Sequence, residues 1–111
     1  MKIEDAQEMM RQIYFERDSE RGIPATLLRT FQELAELNDA IIGEQGRNAV
    51  SEEVADVFAW LCSLANLLDI DVKKAFFSKY AGVCPKCGGN PCQCRPDPSI
   101  DGHKSKGLKA Q

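Results

Sequence analysis

The chain has a single histidine, His103, and it lies outside every segment with helical periodicity. Di-iron carboxylate bundles take a Glu-x-x-His pair from each of two helices, so that chemistry is disfavoured at once. No apolar run approaches the roughly 18 residues of a membrane span. The opening Met1-Lys2-Ile3-Glu4-Asp5 has no apolar signal-peptide core, so a cytoplasmic chain is expected. No stretch alternates apolar and polar residues at strand period, and no repeat recurs at a fixed interval. The chain also lacks a net positive charge. Net charge is −3 over 111 residues, which argues against nucleic acid as a partner. What basic excess exists is terminal: residues 95–111 carry +2, and the remaining 94 residues carry −5.

Helical periodicity is what remains. Ile3, Ala6, Met10, Ile13 and Tyr14 share a stripe that predicts a first helix over residues 2–17. Gly22 breaks it. Pro24 fits the first turn of a second helix, where its missing N–H costs nothing. That helix runs to about Ile42, with Leu27, Phe31, Leu34 and Ile41 as its expected core stripe. Gly43 and Gly46 mark a loop. Ser51 is the expected N-cap of a third helix, with Glu52 and Glu53 at its positive end and a core stripe of Val54, Val57, Phe58, Leu61, Ala65 and Leu68. Asp71 is the expected cap of a short fourth helix carrying Val72, Ala75, Phe76 and Tyr80. The expected fold is all-α: a four-helix bundle over residues 1–82, a cysteine loop over 83–95 and a disordered tail over 96–111. Trp60 and Leu67 share an angular sector with Glu53 and Asp56, and Leu37 and Ala40 lie near that of Glu33 and Glu36. Helices apolar on both sides call for burial on both sides. A homo-oligomer, dimer or tetramer, is therefore expected, with its interface beside the acids; packing of Trp60 and Leu67 against the first or fourth helix is the plainer alternative.

Four of those acids are spaced as helix pairs: Glu33 with Glu36, and Glu53 with Asp56. Residues three apart on an α-helix lie about 60° apart and about 4.5 Å along the axis, so each pair projects from one side. Antiparallel packing of the two helices can bring all four carboxylates together. Unit charges about 4 Å apart near a protein surface repel by roughly 4 kcal/mol, so a convergent set calls for a hard cation. Oxygen-only ligands suit Mg²⁺ or Mn²⁺.

The linear pattern E-x-x-E, sixteen residues, E-x-x-D resembles the metal-binding signature of the all-α MazG-type nucleoside triphosphate pyrophosphohydrolases. The context is similar too: Tyr14-Phe15-Glu16-Arg17-Asp18 and Gly22 before the first acidic helix, Glu52 to Val57 as the second motif, and Leu64-Ala65-Asn66 with Ile70-Asp71 at the end of the third helix. The likeness spans roughly residues 10–94. Gln32 stands where that family often has a further acid. The resemblance implies Mg²⁺-dependent cleavage of a nucleoside triphosphate between its α- and β-phosphates, giving a nucleoside monophosphate and pyrophosphate. It implies Glu33, Glu36, Glu53 and Asp56 as metal ligands and catalytic residues, and Lys79 as the basic residue that meets phosphate. Trp60 is a candidate for stacking on a base or for packing. Asn66 is a candidate for bonding sugar or base, or for closing the helix end. The competing reading is a non-catalytic helical adaptor, which would bind no Mg²⁺ at the acids.

Five cysteines in a chain of this kind argue against a disulfide framework. Cys62 stands alone in an apolar helix and reads as a small buried hydrophobe. Cys84, Cys87, Cys92 and Cys94 crowd into Cys-Pro-Lys-Cys-Gly-Gly-Asn-Pro-Cys-Gln-Cys. Two thiolates on a tight Gly-Gly turn and a second pair closing the shell favour structural, tetrahedral Zn²⁺; iron–sulfur ligation and a pair of disulfides are the alternatives. Some small MazG-like proteins resemble this chain in carrying such a loop after the fourth helix. Its expected role is to pin that helix end, and as a docking module it would serve the adaptor reading.

Overall fold

The computed structural model of the protein describes residues 1–96. The tail from residue 97 on, with His103, lies outside them. Four helices follow in order: α1 Ile3–Arg21, α2 Ile23–Ile42, α3 Arg47–Leu67 and α4 Val72–Lys79. Among the described residues there is no strand, and no helix is long and apolar enough to cross a membrane. The bundle is all-α, as the periodicity predicts. By compactness the chain divides at Phe76/Phe77, within α4, whereas the sequence suggests a helical domain running to residue 82.

In the first unit α1 and α2 are separated by one residue. Gly22 has φ +88°, a left-handed conformation that a side chain would strain. Its N–H donates to the Asp18 carbonyl at 2.9 Å and its carbonyl accepts from Thr26 N–H at 3.1 Å, so it closes α1 and opens α2 together. α1 therefore runs four residues beyond its predicted end. α3 begins earlier than predicted. Gly46, at φ +102°, takes the N-cap position and accepts from Val50 N–H at 3.1 Å. Ser51 is inside the helix and caps nothing. No breaker separates Gly46 from Ser51, so the helix extends back to the glycine.

α3 is the central helix, with α1 and α2 packed chiefly against it. A polar clasp holds α1. Gln7 is buried, donates to Asn66 Oδ1 at 2.9 Å and to the Ile70 carbonyl at 2.7 Å, and accepts from Val72 N–H at 2.9 Å. Asn66 Nδ2 returns a bond to the Gln7 carbonyl at 3.2 Å.

The inward faces reverse the expected ones. On α2 the buried residues are Thr26, Glu33 and Ala40, and on α3 they are Cys62, Ser63, Ala65 and Asn66. Most of the predicted core stripe points outward: Phe31 is 63% exposed, Leu34 52% and Val54 52%, with Leu27, Ile41, Phe58, Leu61 and Leu68 also exposed, whereas Ala65 is buried as expected and Val57 half-buried. Beside the acids, Leu37, Trp60 and Leu67 are half-buried within the single chain. Periodicity identifies an apolar face but not what covers it. Here the small residues Ala40 and Ala65 let helices approach closely, and the bulkier members of the stripes are left outside.

Candidate metal centres

Three of the acids converge between α2 and α3, Glu33 buried, Glu53 half-buried and Asp56 exposed. One oxygen from each of Glu33, Glu53 and Asp56 lies within 4.8 Å of the others. Glu36 is exposed and is not in that set, although its charge acts on Glu33 and Glu53. The structure thus gathers three of the four expected carboxylates.

Glu33 is 4% exposed. Burial raises its pKa above 4.5, and the charges of Glu36, Asp56 and Glu53 raise it further, against the opposing pull of Arg29. Burial likewise raises Glu53, followed by Glu36, Asp56 and Glu52. Glu53 Oε1 is buried and has no hydrogen-bond partner among the described residues. A buried acceptor without a donor is costly, and a hard cation at the three-carboxylate cluster would satisfy it. The donor set therefore fits Mg²⁺ or Mn²⁺.

Sequence reading missed how this cluster is flanked. Arg29 donates to Glu33 Oε2 at 2.5 Å and to Gln32 Oε1 at 2.9 Å, with its guanidinium 4.9 Å over the Trp60 ring. Gln32 thus steadies Arg29. Arg21 lies 4.8 Å over the same ring and binds Asp18 Oδ1 at 2.7 Å. Two guanidiniums already engage the ring that was a candidate for base stacking. The signal available in sequence was Asp18 itself, four residues beyond Tyr14 and eight beyond Met10, an acid on an apolar stripe. Asn66 belongs to the clasp: its Oδ1 accepts from Gln7 and also from Arg11 at 3.1 Å. Those contacts place it in the α1–α3 seam. Lys79 closes α4, its ammonium 5.7 Å from the Tyr80 ring centre.

The raised carboxyls give a pH prediction. Where the folded pKa exceeds the unfolded one, the folded state holds more protons, so stability falls as pH rises through that window. In magnesium-free buffer, Glu33 and Glu53 should make the thermal midpoint rise as pH is lowered from neutral toward 4.5. Saturating Mg²⁺ should flatten that slope by favouring the ionised forms. Differential scanning calorimetry with and without Mg²⁺ checks this; identical slopes would show that no cation meets these groups.

In the second unit the four cysteine sulfurs lie within 4.8 Å of one another. Cys84 and Cys94 are 3.7 Å apart and Cys87 and Cys92 3.9 Å, and all are free thiols. Sulfurs bound tetrahedrally at about 2.3 Å from zinc stand about 3.8 Å apart, so the spacing matches a metal shell. The turn is built for it. Gly88 N–H donates to the Cys84 carbonyl at 2.8 Å with φ +76°. A Cβ at Gly89 would meet the Pro91 carbonyl at 2.8 Å. The N–H groups of Gly89 and Gln93 point at Cys87 Sγ, at 3.4 and 3.2 Å, and lower its pKa. Backbone N–H groups of Cys87 and Lys86 draw Cys84 down to about 6, and the neighbouring sulfurs push Cys94 up to about 12. The cluster is arranged for shared negative charge that a cation would balance.

The family model described as MazG nucleotide pyrophosphohydrolase domain matches residues 21–88, well over half of the chain. The chain belongs to this family. The MazG match contains both acidic pairs, Trp60, Lys79 and the first two cysteines; it leaves out most of α1 and the closing pair Cys92 and Cys94. Membership of the MazG family supports, at family level, a hydrolase acting on nucleotides with a divalent metal. No match was found among curated proteins.

Proposed function

We propose that the protein hydrolyses a nucleoside triphosphate between its α- and β-phosphates, with Mg²⁺ or Mn²⁺, releasing pyrophosphate and a nucleoside monophosphate. The observation that carries this reading is the convergence of Glu33, Glu53 and Asp56 around a buried, unpartnered Glu53 oxygen inside the MazG match. A polyanion cannot approach three carboxylates directly. Glu33, Glu53 and Asp56 would hold the metal, and Glu36, exposed one turn on from Glu33, adds negative potential and would serve as a fourth ligand. When bound, the metal neutralises phosphate charge and lowers the pKa of a coordinated water. A carboxylate oxygen of Glu53 or Asp56 would orient that water, and Arg29 partly offsets the rise in the pKa of Glu33. Incubating the protein with Mg²⁺ and a panel of nucleoside triphosphates should release pyrophosphate. Orthophosphate release, or no Mg²⁺ binding at all, would favour the adaptor reading.

Two further elements belong to the same proposal. The exposed stripe of Leu27, Phe31, Leu34, Phe58 and Leu61 is covered by a second copy of the chain, since one apolar patch can pack against itself across a two-fold axis. The four cysteines hold one structural Zn²⁺. Metal analysis should find one zinc per chain, with the double variant Cys92→Ser/Cys94→Ser losing it and melting lower. Visible iron–sulfur absorbance, or a metal-free protein with no free thiols, would refute this.

A further inference from the structure

A cavity of about 190 Å³ lies between α1 and α3, next to the acidic cluster. Its walls include Tyr14, Asp18, Arg21, Asp56, Trp60 and Ser63. Pockets for whole drug-sized ligands run about 300–1,000 Å³, so this one suits a fragment: one ring, not a complete nucleotide. Asp56 belongs to both the cavity and the carboxylate cluster. A triphosphate anchored at the cluster would have its nucleoside end beside this opening.

The polar groups of the wall are unevenly used. Asp18 is 2% exposed. Its Oδ1 is bound by Arg21, while its Oδ2 is buried and has no donor among the described residues. Asp18 carries an acceptor that the chain itself does not satisfy, and such an acceptor is costly unless a ligand supplies a donor. Next to it, the Arg21 guanidinium offers N–H donors, and Ser63 is a buried hydroxyl in the same wall. An acceptor beside a donor complements a base edge on which an exocyclic amino group adjoins a ring nitrogen or carbonyl, the same complementarity by which carboxylates accept from the cytosine amino group. Tyr14 gives the wall an aromatic face suited to a planar ring.

We propose that Asp18 is a specificity-determining residue that accepts a hydrogen bond from the exocyclic amino group of the substrate base, so that amino-bearing nucleotides are preferred over their oxo counterparts. This rests on the nucleotide reading above and adds which class of base is chosen. An oxo group in that position would set two acceptors against each other, and sites built around a substrate donor reject analogues lacking it strongly.

The test pairs nucleotides that differ in that group and in the proton the oxo form carries on the adjoining ring nitrogen, dCTP with dUTP and dATP with dITP. Pyrophosphate release gives kcat/KM, and calorimetry with non-hydrolysable α,β-imido analogues of the same bases gives Kd. The native protein should prefer the amino member by about tenfold to a hundredfold, as expected for one charge-assisted hydrogen bond. Asp18→Asn, which exchanges an acceptor for a donor at equal size, should bring the ratio to unity or invert it, while the pyrophosphate product and the Mg²⁺ requirement stay the same. A native ratio near one, or an unchanged ratio in Asp18→Asn, overturns the proposal even if pyrophosphate is released. Because the native ratio needs no variant, poor folding of Asp18→Asn does not blunt the test. If only the CTP/dCTP ratio moves in the variant, the donor is a ribose hydroxyl and the base assignment is wrong. If the analogues do not bind at all, both this proposal and the nucleotide reading fall; binding with the expected ratio but without turnover removes only the catalytic reading.

Discussion

Replacing Glu53 by glutamine should lower pyrophosphate release by at least about a hundredfold, the upper end of what altering even an outer-shell group costs a metal site, while making the metal-free protein melt higher. The two effects have one cause. Glu53 combines a buried oxygen that has no partner with a charge repelled by Glu36, Asp56 and Glu52. That arrangement is unfavourable for a folded protein alone and favourable only with a cation in place. Glutamine keeps the shape, removes the charge and turns one acceptor into a donor, so the fold is retained and the metal is lost. Steady-state assays across Mg²⁺ concentration, with thermal melts in magnesium-free buffer, separate the two. Retained activity, or a lower melting point at neutral pH, would show that Glu53 is an ordinary helix acid. Glu33→Gln should behave differently, because Glu33 is paired with Arg29, and its loss frees a guanidinium beside Trp60.

The second large effect is on assembly. Leu34→Glu or Phe58→Glu should convert an oligomer into monomers. Both side chains are exposed on the outer stripe, so a carboxylate there costs little in a lone chain, yet it costs several kcal/mol when buried without a partner between two chains. Light scattering should give a mass of at least two chains for the native protein and 12.3 kDa for the variants. The native melting temperature should rise with protein concentration and that of the variants should not. A native protein that is monomeric at tens of micromolar would remove the second copy from the proposal.

Much of this architecture was legible in the sequence because its determinants are local. Gly22, Gly43 and Gly46 interrupt helical periodicity where the helices end, and the acids three apart declare their shared face. Cys84 to Cys94 fit a single turn, so their convergence needs no long-range folding. What could not be read depends on tertiary choices. The stripe of Leu27, Phe31 and Leu34 has the pattern of a core, but pattern alone does not distinguish a face buried by the same chain from one left for another. The start of α3 went astray because Ser51 has the chemistry of a cap, whereas the glycine at 46 has the backbone conformation. The clasp of Asn66 leaves no sign in the local sequence because its partner Gln7 lies 59 positions away. The sequence assigns no role to Asp18 or Arg29 because a charged residue on a helix is usually solvated, and only packing against α3 makes these two matter.

Manganese offers the most direct examination of the acidic cluster, since it takes the same oxygen ligands as magnesium and can be located by its anomalous scattering. Crystals grown with Mn²⁺ and a non-hydrolysable triphosphate should show an anomalous peak bounded by Glu33, Glu53 and Asp56, with phosphate oxygens completing its shell. Full nucleotide density with no peak among those three carboxylates, or manganese bound only elsewhere, would contradict the role given to them.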